Sequence, residues 1–387
     1  MVQAKIPAVF MRGGTSRAIF FREADMPSDQ AVRDRIILAA MGSPDGYGRQ
    51  LDGMGGGISS LSKVAIIAPS TRPDADINYT FGQVSVSDAL VDYKGNCGNI
   101  SSAVGPYAID EGLVPAPQRG TASVRIHNTN TRKIIVARVP VQGGQAAVEG
   151  DFALQGVSGT GARIALEFRD PGGAVTGKLL PTGAPIEDLE VPGVGVLPVS
   201  IVDATNPMVF VRATDLGLQG TEHPEAIDRD ANLTARLEKI RATVAVRIGL
   251  APDVETASRR VQAVPKIAMV APPSPYRDLS GNAVPMESTD ICARVMSMGK
   301  AHRAFALTAA MCLAVAARVP GTVVQESVGG TAATDPAADI RLGHPSGVLP
   351  IAASVRDGHA EQVVVYRTAR RLMEGYIRVP ARLLERS

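Results

Sequence analysis

Apolar positions along this chain follow two kinds of pattern. Short runs rich in β-branched residues and closed by Gly, Pro or Asp predict strands at residues 6–11, 18–21, 64–67, 84–86, 123–126, 134–139, 199–202, 208–211, 267–270 and 363–366. Segment 28–41 carries Val32, Ile36, Ile37 and Ala40 at helical spacing, which predicts a peripheral helix with Ser28 as its N-cap. Segment 233–249 does the same, with Gly249 as its stop. Segment 304–317, AFALTAAMCLAVAA, is apolar on every side yet too short to cross a bilayer at helical rise, so it predicts a helix buried in protein. Segment 101–109, SSAVGPYAI, is its weaker partner: its small residues let a sheet approach closely, and Pro106 is a point where the helix can bend. Strands gathered about two buried helices predict an α+β fold in which each half is a curved sheet wrapped around a central helix, rather than a doubly wound parallel sheet.

The pattern also repeats. TSRAIFFREADM at 15–26 aligns with TNPMVFVRATDL at 205–216, matching Thr15 with Thr205, Phe20 with Phe210, Arg22 with Arg212 and Asp25 with Asp215. SKVAIIAPS at 62–70 then aligns with PKIAMVAPP at 265–273, and the approach to a small-residue helix near Cys97 has a counterpart near His302. A duplicated half predicts two pseudo-symmetric domains, 1–184 and 185–387, facing one another across a cleft to which corresponding loops bring polar groups for one ligand. The Pro-rich stretch 181–198 reads as the linker and 272–285 as a further connection, and the last strand is free to cross back to the first domain.

Composition narrows the class. A chain of 387 residues, 45% hydrophobic and 20% charged, suits two cores and no membrane span. Net charge is +2 with no basic run, aromatics are 4% and Trp is absent, which argues against nucleic acid as a partner. The N-terminal residues read as a first strand and not as a signal peptide, so a cytoplasmic protein is expected. Cys97, Cys292 and Cys312 form no CxxC pair and the five His show no two-ligand spacing, so neither a metal site nor a disulfide framework is expected. Exposed edge strands can support a homodimer, although no patch in the sequence requires one.

Three strings carry candidate chemistry. In DYKGNCGN at 92–99, Asn96, Cys97, Gly98 and Asn99 stand where a helix should start, and its N–H groups and dipole would favour a thiolate or a substrate carboxylate. Cys292 and Cys312 lack that setting and read as small buried hydrophobes. In DGMGGGISSLSK at 52–63, Gly55, Gly56, Ser59 and Ser60 precede Lys63, which opens an apolar strand. The backbone there suits a carboxylate better than a dinucleotide, and an amine held against an apolar wall can act as a base near neutral pH. In MRGGTSR at 11–17, Arg12, Gly13, Gly14, Thr15 and Ser16 form either a plain hairpin or a carboxylate clamp, and Arg49 is a second candidate clamp.

Together these strings resemble the PrpF family, which includes 2-methylaconitate isomerase and 4-oxalomesaconate tautomerase and is related to diaminopimelate epimerase. The likeness lies in MRGGTS at 11–16, GSPD and QLDGMGG within 42–56, SKVAII at 62–67 and GNCGN at 95–99. It continues in VRIHNTNT at 124–131, SMGKAHRA at 297–304 and HPSG at 344–347. The resemblance implies a cofactor-independent isomerase that moves a proton, and with it a double bond, in a small unsaturated tricarboxylate. It implies Lys63 as the base and Cys97 as a second acid/base or a hydrogen-bonding partner. The epimerase relatives look for a cysteine from each half, whereas here Cys97 falls opposite His302, which disfavours a two-cysteine racemase. His302 reads equally as a donor to a carboxylate or as a cap on the buried helix. Thr205, Asn206, Lys266, Ser297, Met298, Gly299 and Lys300 are second-half candidates by position. An amino-acid epimerase and a non-catalytic polycarboxylate-binding protein remain the alternatives.

Overall fold

The structure, a computed structural model, describes residues 3–93, 96–297 and 299–384. The chain divides into two compact units, one formed by Met1–Phe168 with Tyr366–Ser387 and the other by Arg169–Val365. The first crossing therefore falls ahead of the 184/185 junction drawn from the proline-rich stretch. That stretch is not a bare linker, since it contains the strand Glu187–Val191 and the start of its antiparallel partner Gly195–Ala204. Likewise, 272–285 holds a small antiparallel pair, Tyr276–Arg277 with Ala283–Val284.

In the first unit the C-terminal strand Ala369–Pro380 pairs antiparallel with Gln3–Gly13, which pairs antiparallel with Ser16–Arg22. Ser16–Arg22 runs parallel to Lys63–Pro69, which is antiparallel to Ile77–Val84. Ile77–Val84 runs parallel to Arg119–Asn128, and Lys133–Gln142 and Ile164–Arg169 follow antiparallel. The second unit repeats this order of pairings with Glu187–Val191, Gly195–Ala204, Asn206–Arg212, Lys266–Ala271, Ile291–Ser297, Ile340–His344, Gly347–Arg356 and His359–Arg367. The register shows the duplication directly. Ala18 lies beside Lys63 and Met208 beside Lys266, the same alignment that matches Phe20 with Phe210.

Parallel neighbours need a crossover, and in each unit the second crossover is the central helix. Gly98–Asp110 connects Ile77–Val84 to Arg119–Asn128, and Leu307–Ala316 connects Ile291–Ser297 to Ile340–His344. Both helices are almost wholly buried. Gly98–Asp110 continues through Pro106, and the sheet closes on it at Gly105, where a Cβ would stand 2.9 Å from the side chains of Ala137 and Val139. Among the described residues no helix is long and apolar enough to cross a membrane.

Several boundaries differ from expectation for clear reasons. Asp29, not Ser28, caps the peripheral helix Gln30–Met41, its carboxylate accepting from the N–H groups of Ala31 and Val32; a negative charge there also meets the positive end of the helix dipole. Gly249 ends the helix Ala231–Arg247 as expected, with φ +76° and its N–H on the Val246 carbonyl. Of the strand expected at 84–86 only Val84 belongs to one, because Ser85 already turns toward the Leu90 carbonyl. Ile291–Ser297 was not expected as a strand because Arg294 interrupts its apolar run. The arginine is nonetheless 2% exposed, its guanidinium donating to the carbonyls of Glu222 and Ala293.

Candidate active site

Lys63 is the first residue of its strand and lies in register with Ala18 on one side and Gln83 on the other. It is 7% exposed. Its Nζ stands 5.2 Å from the centre of the Phe81 ring and donates to Gln83 Oε1. Burial pushes the ammonium pKa below the usual lysine value, and the negative charge that Cys97 can carry pulls it partly back.

Cys97 is the N-cap residue of Gly98–Asp110, in extended conformation, with no side chain capping the helix. It is a half-buried free thiol. Its carbonyl accepts from the N–H and hydroxyl of Ser101. Asn96 is held by Ser101 Oγ and by the buried Asn128, each at 3.2 Å. Asn99 donates from Nδ2 to Thr15 Oγ1 at 3.0 Å and accepts at Oδ1 from Arg367 Nε at 3.1 Å. The helix start is thus tied to the hairpin tip and to the C-terminal strand region of the same unit.

The hairpin is built for this approach. A Cβ on Gly13 would lie 2.6 Å from the Asn99 carbonyl oxygen, and one on Gly14, whose φ is +53°, would lie 2.3 Å from Asn99 Oδ1. Arg12 is engaged as a strut, with Nη1 donating to the carbonyls of Gly14 and Thr368 and to Thr368 Oγ1. Ser16 is buried opposite Gly13, while Thr15 is exposed.

The glycine-rich loop wraps around Gln50, which is 1% exposed. Gln50 Oε1 accepts from the Gly57 N–H at 2.9 Å and the Ser62 hydroxyl at 2.6 Å. Gly55 lacks a side chain because a Cβ would meet the Gln50 amide at 2.3 Å, and Gly56 because one would meet Leu61 at 2.6 Å. The short turn Ser59–Leu61 delivers the chain to Lys63; its Ser59 carbonyl accepts from Gln83 Nε2, and Ser60 is half-buried within it. Arg49 does not join this group. It is exposed and lines a separate cleft of about 500 Å³ with Ser43, Asp45, Tyr47, Leu51 and Arg378.

Two neighbours escaped sequence reasoning. Gln83 sits mid-strand, where an amide carries no signal. Arg367, just past the strand expected at 363–366, is 6% exposed, with its pKa drawn down to about 10 by burial and partly restored by Cys97. Its described hydrogen-bond partners, Asn99 Oδ1 and the Tyr366 carbonyl, are both neutral.

In the second unit, Lys266 opens its strand as Lys63 does, with Nζ on the Ala263 carbonyl at 2.6 Å; burial lowers its pKa and Arg241 adds to the effect. Thr205 forms the hairpin turn at φ +62°, its hydroxyl donating to the Thr308 carbonyl at 2.9 Å, and Asn206 is buried beside it. Ser297 pairs with Lys300 across a turn through Gly299, and Met298 lies outside the described residues. His302 does not cap the buried helix, whose N-cap is Ala306. Its Nδ1 accepts from the Ala304 N–H at 3.0 Å, and burial lowers its pKa, reinforced by Lys266. Cys292 and Cys312 are fully buried, Cys312 Sγ bonding to the Val202 carbonyl at 3.3 Å. Among the described residues no group of three His, Cys, Asp or Glu side chains is placed to hold a metal ion.

The chain is similar to the 3-methylitaconate isomerase of Eubacterium barkeri, with 48% identity over 97% of this chain and 98% of that one. It is 43% identical to the 2-methyl-aconitate isomerase of Cupriavidus necator, over 98% of each chain. A crystal structure of methylitaconate-delta-isomerase superposes with a TM-score of 0.95 at 47% identity, covering 100% of this chain and 98% of that one. The fold and its relatives make this protein an isomerase. The match to the family described as PrpF protein runs over residues 3–380, and the chain belongs to that family.

Proposed function

We propose that this protein shifts a proton, and with it a double bond, along a small unsaturated polycarboxylate such as 2-methylaconitate, 4-oxalomesaconate or 3-methylitaconate. The observation that carries this reading is the Lys63 amine, buried at a strand start against Phe81 with no carboxylate among its described partners. In the neutral form it takes the allylic proton. The C–H pair then spreads into a dienolate, and the new ammonium returns its proton at the far end of the allylic system. Charge that develops on the substrate carboxylate is met by the uncapped N–H groups at the start of Gly98–Asp110 and by the Arg367 guanidinium. Three free thiols, two of them buried, suit a reducing compartment and support a cytoplasmic setting.

The test is to follow proton NMR in deuterated water with each of the three acids. Deuterium entering the allylic position as the double bond moves supports the proposal. Exchange only at an sp³ α-carbon of amino acids would replace it with an epimerase, and binding without exchange would replace it with an accessory role. Within the site, Cys97→Ser is expected to cost less activity than Lys63→Ala, and an equal or greater loss would make the thiol the principal proton carrier. Cys97→Ala removes a group whose charge would favour the ammonium of Lys63, so the rising limb of the kcat/KM profile should move to lower pH.

A further inference from the structure

We propose that Gln83 is the positioning residue for the Lys63 amine, holding it in a charge-neutral grip that allows it to be base and acid in turn. This rests on the proton-shift reading above. Gln83 stands directly opposite Lys63 in the antiparallel register. Its Nε2 donates to the Ser59 carbonyl at 3.0 Å and the Ser62 carbonyl at 2.9 Å, both in the segment leading into the Lys63 strand. Flipping the amide would set Oε1 against those two carbonyl oxygens, so the two bonds to Nε2 hold Oε1 facing Nζ. A second clamp keeps the carbonyls themselves in place. Ser62 donates from its hydroxyl to the buried Gln50, and its carbonyl also accepts from the Val84 N–H.

An amide here differs from a carboxylate in a way that matters for chemistry. Oε1 accepts one N–H from Nζ whether the nitrogen is an amine or an ammonium, so the contact survives the whole cycle: C–H breaks, N–H forms, then N–H breaks and a new C–H forms. A carboxylate in that place would stabilise the ammonium and leave the base protonated. Among the described residues, the groups that meet Nζ are the neutral Gln83 and the Phe81 ring, with Cys97 acting through space.

Two variants and a substrate-free readout test this. Gln83→Glu should raise the Lys63 pKa by about 1–3 units, because an opposite charge lies within hydrogen-bonding reach. The rising limb of kcat/KM should move up by the same amount, so activity lost at neutral pH returns in alkali. Gln83→Met, which keeps size without polarity, should lower kcat at least about tenfold with KM within about twofold, and should leave that limb near its wild-type position. Titration of the Lys63 side chain by ¹³C NMR, assigned with Lys63→Met, reports on the amine without any substrate. If wild type turns over none of the acids, the proton-shift reading fails. If Lys63 titrates in Gln83→Glu as in wild type, or Gln83→Met keeps wild-type kcat, the positioning role fails. Thermal melting shows whether either variant has lost its fold, and an Nζ titration unmoved in a folded Gln83→Glu protein would by itself overturn the inference.

Discussion

Replacing Lys63 with Ala is expected to reduce allylic deuterium exchange to background, a loss of at least about 10³-fold, within the span usual for a general base. The reason is local and specific. Lys63 brings its amine to the mouth of an apolar strand, where burial leaves a larger neutral fraction near pH 7 than water would. Of the described groups around it, Gln83 and the Phe81 ring cannot accept a proton from carbon at that pH, and Cys97 is the group that the Cys97→Ser comparison weighs against it. The fold should survive, since truncating a side chain whose polar end meets one amide leaves the strand pairing with Ala18 and Gln83 intact. The melting temperature is therefore expected to change little while turnover collapses, and the pair of measurements separates chemistry from stability. Unchanged turnover in the variant would refute Lys63 as the base. A small primary amine added to the Lys63→Ala protein should restore part of the exchange, with a rise in rate as the added amine loses its proton.

Gly53→Ala is expected to be the most damaging single methyl in the first unit. An added Cβ would lie 2.1 Å from the Gly42 nitrogen and 2.2 Å from the Met41 carbonyl carbon, both backbone atoms that no rotamer change can move. The contact is with the end of the helix Gln30–Met41, onto which the loop is pinned by the N–H groups of Met54 and Gly55 reaching the carbonyls of Ala40 and Met41. Forcing the two apart should cost about 3 kcal/mol, the upper range for overpacking. That corresponds to a fall of roughly 10 °C in the transition of this unit. Gly48 offers the comparison: its φ is +67° but nothing lies within 4 Å of a Cβ, so Gly48→Ala should cost only the left-handed backbone penalty, about 1–2 kcal/mol. Equal melting temperatures for the two variants would show that the loop yields. Because the same loop leads to the Ser59 and Ser62 carbonyls that hold Gln83, Gly53→Ala should also slow turnover in the protein that remains folded.

Much of the architecture was legible because burial imposes period and composition. The two central helices announced themselves through small and apolar residues, as did the strands whose inward and outward positions are both covered. Two of the strands that escaped notice carry polar residues that the tertiary setting excuses. Arg294 is paired off inside Ile291–Ser297, and Ala369–Pro380 keeps exposed residues such as Tyr376 while pairing along its length with Gln3–Gly13. The proline-rich stretch misled for a related reason, since prolines at its ends say nothing of the Glu187–Val191 ladder between them.

For the site, the division follows the range of the interactions. Cys97 could be picked out by its local setting, a thiol among glycines and asparagines at a helix start, whereas Lys63, a lysine before an apolar run, stood out through its echo at Lys266 and through the family resemblance. The glycines at 13–14 and 55–56 were also marked by sequence, but their reason is close approach to Asn99, Gln50 and Leu61, which only the folded chain reveals. Gln83 and Arg367 acquire meaning solely from strand register and from the return of the C-terminal segment to the first unit, and only the folded chain sets Arg49 on another cleft. Sequence by itself determined the duplicated α+β plan and marked the two residues proposed to carry the proton chemistry, since hydrophobic periodicity and helix-start chemistry are properties of adjacent residues. Tertiary structure alone decided what surrounds the amine and how far its charge is stripped of water, because desolvation is the work of groups distant along the chain.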